Sequence, residues 1–184
     1  MKKIIGLLFA VLFSAGLYAQ EEVIKFLGIP VDGTKQEMIE KLKSKGFTNE
    51  QIFYGRNIRS DYLEGEFNGE KVEISIQTQN NKVWRLEIID KTSRSEGQII
   101  SRFNKLVGQF ENNGKYTPLK KIQTIDENED IKYEISVNDK QYNATFIPKT
   151  SGMVWFTIKE VVIGSYRIAM YYENTKNEAD GSDL

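Results

Sequence analysis

Twice along this chain a capping-box sequence opens a short amphipathic helix, and runs that alternate apolar with polar residues follow it. No other feature constrains the fold as much. Thr34-Lys35-Gln36-Glu37 begins the first helix, where the threonine oxygen and the Glu37 side chain can each satisfy a backbone N–H that has no partner inside the helix. Met38, Ile39 and Leu42 then share one face, and Gly46 offers a left-handed stop after Lys45. Ser95-Glu96-Gly97-Gln98 repeats the device. Ile99, Ile100, Phe103, Leu106, Val107 and Phe110 follow it at spacings of three and four. Each large apolar side chain buried along that stripe contributes roughly 1.5 to 3 kcal/mol.

The segments after the helices have the period of strands. Val72, Ile74 and Ile76 alternate with Glu73, Ser75 and Gln77, and Ile131, Tyr133, Ile135 and Val137 alternate with Lys132, Glu134 and Ser136. A sheet of such strands has one dry face that must be covered. The expected fold class is therefore α+β, an antiparallel sheet wet on one side with the helices packed on the other. It would be built as two helix-plus-antiparallel-sheet units, residues 20–90 and 91–174. Asn68-Gly69 and Asn138-Asp139 read as bends that tolerate positive φ.

The two units can be laid on each other through one pair of hairpins. Placing Phe67–Val72 on Val137–Tyr142 without a gap puts Val72, Ile74 and Ile76 on Tyr142, Ala144 and Phe146. It also puts Trp84, Leu86 and Ile88 on Val154, Phe156 and Ile158. Matching Trp84 to Trp155 instead needs one inserted residue, which turns every side chain to the opposite face unless a bulge absorbs it. The gapless phase is the better one. A tandem duplication and the chance likeness of two hairpins both account for it.

The N-terminus gives an address. Lys2 and Lys3, an apolar run from Ile4 to Phe13, and small residues leading to Leu17-Tyr18-Ala19 read as an export signal over residues 1–19, with Gln20 as the mature start. The run is short for a permanent span, so no stable membrane span is expected after its removal, and a retained N-terminal anchor helix is the competing account. The expected product is periplasmic or secreted, with a folded domain over 20–174 and a polar, disordered tail over 175–184. The chain has no cysteine, so neither a disulfide nor a lipid on an N-terminal cysteine is available. Hydrophobic residues are 40% of the chain, and their core has to supply the stability.

Missing residue types exclude much chemistry. There is no histidine, which rules out a Ser-His-Asp triad and histidine ligation of zinc, and without cysteine there is no thiolate nucleophile. No glycine-framed serine, Ser-x-x-Lys spacing or Gly-x-Gly phosphate signature occurs, and neither an enzyme nor a cofactor is expected. Asp126-Glu127-Asn128-Glu129-Asp130 begins like a calcium loop, but Ile131 and Val137 stand where an EF-hand needs glycine and a bidentate glutamate. A solvated acidic turn between strands is expected there and no metal site, with weak calcium binding as the alternative. Asn143-Ala144-Thr145 matches a glycosylation acceptor but falls inside a predicted strand. With a net charge of −1 and no basic stripe, the chain has no nucleic-acid footprint.

What remains is a binding surface. Trp155 falls on the face shared by Thr157 and Lys159, opposite the apolar series, and the strand Tyr166–Glu173 can bring Arg167 and Tyr171 to the same face. Trp, Tyr and Arg are the types that dominate binding hot spots. Cover of Trp155 by a helix or loop is the competing structural account. The expected function is a non-catalytic interaction module for a protein or polymer partner in the cell envelope. The alternatives are an inhibitor of a secreted hydrolase, a small-ligand carrier, and an enzyme using two convergent carboxylates.

Phe26-Leu27-Gly28-Ile29-Pro30-Val31-Asp32-Gly33-Thr34, with the lysine-rich helix and Lys45-Gly46-Phe47 behind it, resembles the opening of small exported proteins of Bacteroidetes-type bacteria. The order of elements resembles the tandem layout of β-lactamase-inhibitor-like and PepSY-like domains. That resemblance implies a binding or inhibitory module, and it transfers no functional residue to a position of this chain.

Overall fold

The computed structural model describes residues 22–54, 57–121 and 124–178. The expected signal over 1–19 and the last residues of the expected tail lie outside them. A small hairpin, β1 (Lys25–Phe26) and β2 (Ile29–Pro30), leads to α1 (Lys35–Lys43) and then to strands β3 (Thr48–Tyr54), β4 (Asn57–Phe67), β5 (Glu70–Gln79) and β6 (Lys82–Asp90). After α2 (Glu96–Glu111) come β7 (Tyr116–Pro118), α3 (Ile131–Asn138), β8 (Asn143–Pro148), β9 (Met153–Val162) and β10 (Ser165–Glu173). Eight strands make one sheet in the order β3-β4-β5-β6-β10-β9-β8-β7. The fold is α+β, and every pairing in that sheet is antiparallel.

Local sequence explains the element ends. Thr34 Oγ1 accepts from the Glu37 N–H at 3.3 Å while the Thr34 N–H donates to Glu37 Oε2 at 2.8 Å, the reciprocal cap expected for α1. Past the helix, Gly46 has φ +95°, which lets its own N–H reach the Lys43 carbonyl at 3.0 Å and the Phe47 N–H reach that of Leu42 at 3.2 Å. At α2 the Ser95 N–H donates to Gln98 Oε1 at 3.1 Å. The β4–β5 turn places Asn68 and Gly69 at φ 53° and 75°, the mirror-image turn whose twist matches the flanking strands.

The helices share one interior with one sheet face. Buried side chains of α1 (Met38, Leu42), α2 (Phe103, Leu106) and α3 (Ile131) belong to the same core as Ile74, Leu86 and Phe156. Phe103 meets Phe156 edge-on at 5.2 Å, and Phe110 stacks on Phe146 at 4.8 Å.

Three expectations are corrected. Ile131–Val137 is not a strand but most of α3, because a period of two over so few residues also serves a helix. Ile131 and Ile135, four apart, face the core, whereas Tyr133 and Val137, also four apart, are 51% and 60% exposed. The Asp130 carboxylate caps the helix by accepting the Tyr133 N–H at 2.8 Å, and Asp139 ends it at φ 50°, so Asn138-Asp139 is a helix stop and not a hairpin bend. Trp84 does not point inward with Leu86 and Ile88. The β5–β6 register shifts after Gln77, pairing Thr78 with Val83, so Val83 fills the core and Trp84 is half-buried.

Thr175 to Glu178, the described part of the expected tail, make a turn. Asn177 Nδ2 donates to Asp32 Oδ1 at 2.8 Å and to the Val83 carbonyl at 2.9 Å, just after the fully buried Asn174, which donates to the Val31 carbonyl at 2.8 Å.

One buried ionic knot ties α2 to the sheet. Asp90, at the end of β6, accepts from Arg94 at 3.0 Å and Arg102 at 3.1 Å, while Arg94 also meets Glu70 at 2.6 Å. All but Glu70 are 9% exposed or less. Removing the shared carboxylate leaves two guanidinium groups in low dielectric. Asp90→Ala is therefore expected to cost about 3–5 kcal/mol of unfolding free energy in urea titrations; a loss under about 1 kcal/mol would place the knot in solvent.

Candidate functional site

The sheet face opposite the helices carries the three residues expected from sequence. Strand registers align Thr145, Trp155, Tyr171, Glu87, Ser75 and Tyr62 as direct neighbours across β8, β9, β10, β6, β5 and β4. The row crosses the outer face. Among the described residues, the buried apolar side chains of all three helices sit in the core on the other side.

Trp155 and Tyr171 form the row's centre. Their rings stack at 3.9 Å with an angle of 16°, and Trp155 Nε1 donates to Glu173 Oε1 at 2.8 Å. Trp155 stays half-buried, while Tyr171 is only 5% exposed. Tyr171 thus acts as the bed on which the Trp155 ring lies. Arg85 continues the layer: its guanidinium lies 4.0 Å from the Trp84 ring centre and 5.4 Å from that of Tyr171, and it meets the buried Glu173 at 2.5 Å.

Glu87 is the polar hub. It accepts from Tyr171 Oη at 2.9 Å, Lys159 Nζ at 3.0 Å and Ser75 Oγ at 3.3 Å. Burial alone would push its carboxyl up, but the Lys159 and Tyr171 bonds outweigh burial and hold it below the usual carboxylate range. The Tyr171 phenol is pushed up, first by burial and further by Glu87. Arg167 lies on the same face but off the stack. Its Nε donates to Ser93 Oγ at 3.0 Å, and its second nitrogen meets Glu73 at 3.4 Å.

Of the three expected residues, the fold brings Trp155 and Tyr171 into contact and sets Arg167 to one side. Sequence reasoning missed Trp84, Arg85, Glu87 and Glu173. The parity that exposed Trp155 could have flagged Glu87 and Arg85 as outward on β6, but only the β6–β10 pairing puts them under Trp155. No group of three or more acidic side chains among the described residues has the geometry of a metal site. No helix among them is long and apolar enough to cross a membrane. Open grooves lie elsewhere: one of about 620 Å³ beside the α1 N-terminus, and two of about 470 and 440 Å³ around Leu27 and Tyr172.

No family model matches this chain, and no curated protein or solved structure is significantly similar to it.

Because the folded state holds Glu87 ionised, its contribution to stability is present above the usual carboxylate pKa and lost as pH falls through the lower folded value. Glu87→Gln is expected to destabilise the protein at pH 7 and to flatten the fall in stability between about pH 5 and about pH 3. Urea titrations at both ends of that range check it. An equal loss at both pH values would mean that Glu87 contributes no charge-dependent stability.

Proposed function

We propose that this protein is exported to the periplasm or beyond and acts there as a non-catalytic interaction module, engaging a protein or polymer partner through its outer sheet face. The observation that carries the reading is the Trp155 ring, half-exposed and held in place by the Tyr171 stack and the Glu173 bond. An aromatic anchor fixed before binding has little rotamer freedom left to lose. Lys159 and Arg85 flank the stack with cations already oriented by carboxylates, and Arg167, paired with Glu73, lies further along the same face. Export rests on the N-terminal lysines and apolar run.

The doubled architecture belongs to the same proposal. Four strands after α1 run inward from one sheet edge, four after α2 run inward from the other, and they meet at β6 and β10. A tandem duplication joined back to back yields that order, with α3 as an insertion between the first two strands of the second unit; it makes β9 and β10 the counterparts of β5 and β6, one strand further on than the gapless hairpin alignment, which laid β5 and β6 on β8 and β9. A carrier burying a small ligand between helices and sheet finds less support, since that layer is filled by Phe103, Phe110, Phe146 and Phe156 in mutual contact.

Cross-linking in the native envelope with mass spectrometry identifies the partner, whose affinity for variants then tests the face. Trp155→Ala is expected to weaken the complex at least about tenfold, a hot-spot loss of about 1.4 kcal/mol or more, while the protein stays folded by circular dichroism. Unchanged affinity in a folded variant would remove the outer face from the interaction.

A further inference from the structure

Among the residues whose side chains are described, which leaves out 50–61, seven large apolar side chains are exposed, and five of them lie on the β9–β10 turn and on α3. Val161, Val162 and Ile163, at the β9–β10 turn, are 44%, 67% and 82% exposed, and Tyr133 and Val137 are on α3. The same end holds both elements. The chain leaving α3 enters β8, whose Asn143 pairs with Thr157 of β9, and burial together with the carboxylates of Glu160, Glu96 and Asp130 pushes the Tyr166 phenol up to about 12.

The turn is a fixed projection. Glu160 Oε1 accepts the Gly164 N–H at 2.9 Å, Gly164 takes φ +73°, and Val162 pairs with Ser165. Glu160, Glu96 and Asp130 bring carboxylates to this end, while the flanking cations Lys159 and Arg167 are engaged by Glu87 and Glu73. Residues 126–140 hold six carboxylates against two lysines, and Glu96 and Glu160 add to them.

The opposite end has the reverse character. Two grooves of about 470 and 440 Å³ share Leu27, Asn113, Tyr116 and Tyr172 and so run into each other. The first is lined by Lys25, Lys115 and Lys149 against a single carboxylate, Glu22; the second adds the apolar walls Phe67 and Phe110, with Glu66 at its side. The turn precedes β10 and the grooves gather around Tyr172 near its end, so the strand separates them by about 26 Å at the usual rise per residue.

The geometry points to a second copy of this chain as the occupant of the groove: the apolar, acid-rimmed turn around Ile163 of one molecule seats between Leu27 and Tyr116 of the next. Apolar surface meets apolar surface, and carboxylates face the lysines. Because the projection and the groove are different surfaces, the contact is head-to-tail and leaves one of each free, so it propagates into chains or closes into rings. A three-residue projection buries far less than a standard interface, so the association is weak and weakens further with salt. It leaves the outer sheet face free and stands independently of the role proposed for that face.

Sedimentation velocity of the full chain tests it. At low salt the weight-average mass is expected at least to double between about 10 μM and about 1 mM, and to fall back in about 0.5 M salt. Ile163→Asp, and separately Lys115→Glu with Lys149→Glu, change exposed positions, and each variant is expected to stay monomeric with an unchanged melting temperature. Mixing the two restores one intact turn and one intact groove, which is expected to give two-copy complexes and nothing longer. A wild-type chain that stays monomeric, association that survives either variant, or a mixture that stays monomeric would each overturn the proposal.

Discussion

The pairing of β6 with β10 is the contact on which the other features depend. Ala169–Glu173 lies against Arg85–Ile89, and that one register joins the strands following α1 to those following α2 in a single sheet. On the inner side it sets Met170 beside Ile88 and Tyr172 beside Leu86, completing the floor on which α2 packs. On the outer side the same five pairs put Glu87 under Tyr171 and Arg85 beside Glu173. A shift of one residue would exchange the two faces, placing carboxylates in the core and aromatic rings in water.

The outer face is ordered from below by charge. Glu173 is 3% exposed yet carries a carboxylate, which is tolerable because Arg85 and the Trp155 indole N–H both reach it. Glu87 likewise holds Lys159 and Tyr171 in place. Ring stacking then fixes the layer above. Specific side-chain geometry on the outer sheet face costs conformational entropy, and this network offsets that cost before any partner arrives.

Much of this was legible in the sequence where the signal was local. Capping boxes and a three-four stripe located α1 and α2, and strand parity put Trp155 and Tyr171 on the outer face. What was not legible depended on distant contacts or on short ambiguous segments. Ile131 to Val137 fits two periods equally well, and the choice was made by the Asp130 cap and by the pocket that receives Ile131 and Ile135. Val83 and Trp84 are adjacent and both large, so only the register shift against β5 reveals which one enters the core. The partnership of Glu87 with Tyr171 spans 84 positions, and no pattern within either strand encodes it.

A disulfide probe measures that pairing directly, and a chain without cysteine suits it. Ile89 and Ala169 are direct neighbours on the outer face, where paired Cα atoms lie about 4.5–5.5 Å apart, within the span of a disulfide. Oxidation of the folded Ile89→Cys, Ala169→Cys double variant is expected to give one intramolecular bond, quantitatively and without loss of the native circular dichroism spectrum. Two cysteines that stay reduced, or that bond only between molecules, would contradict the β6–β10 register and the binding face built on it.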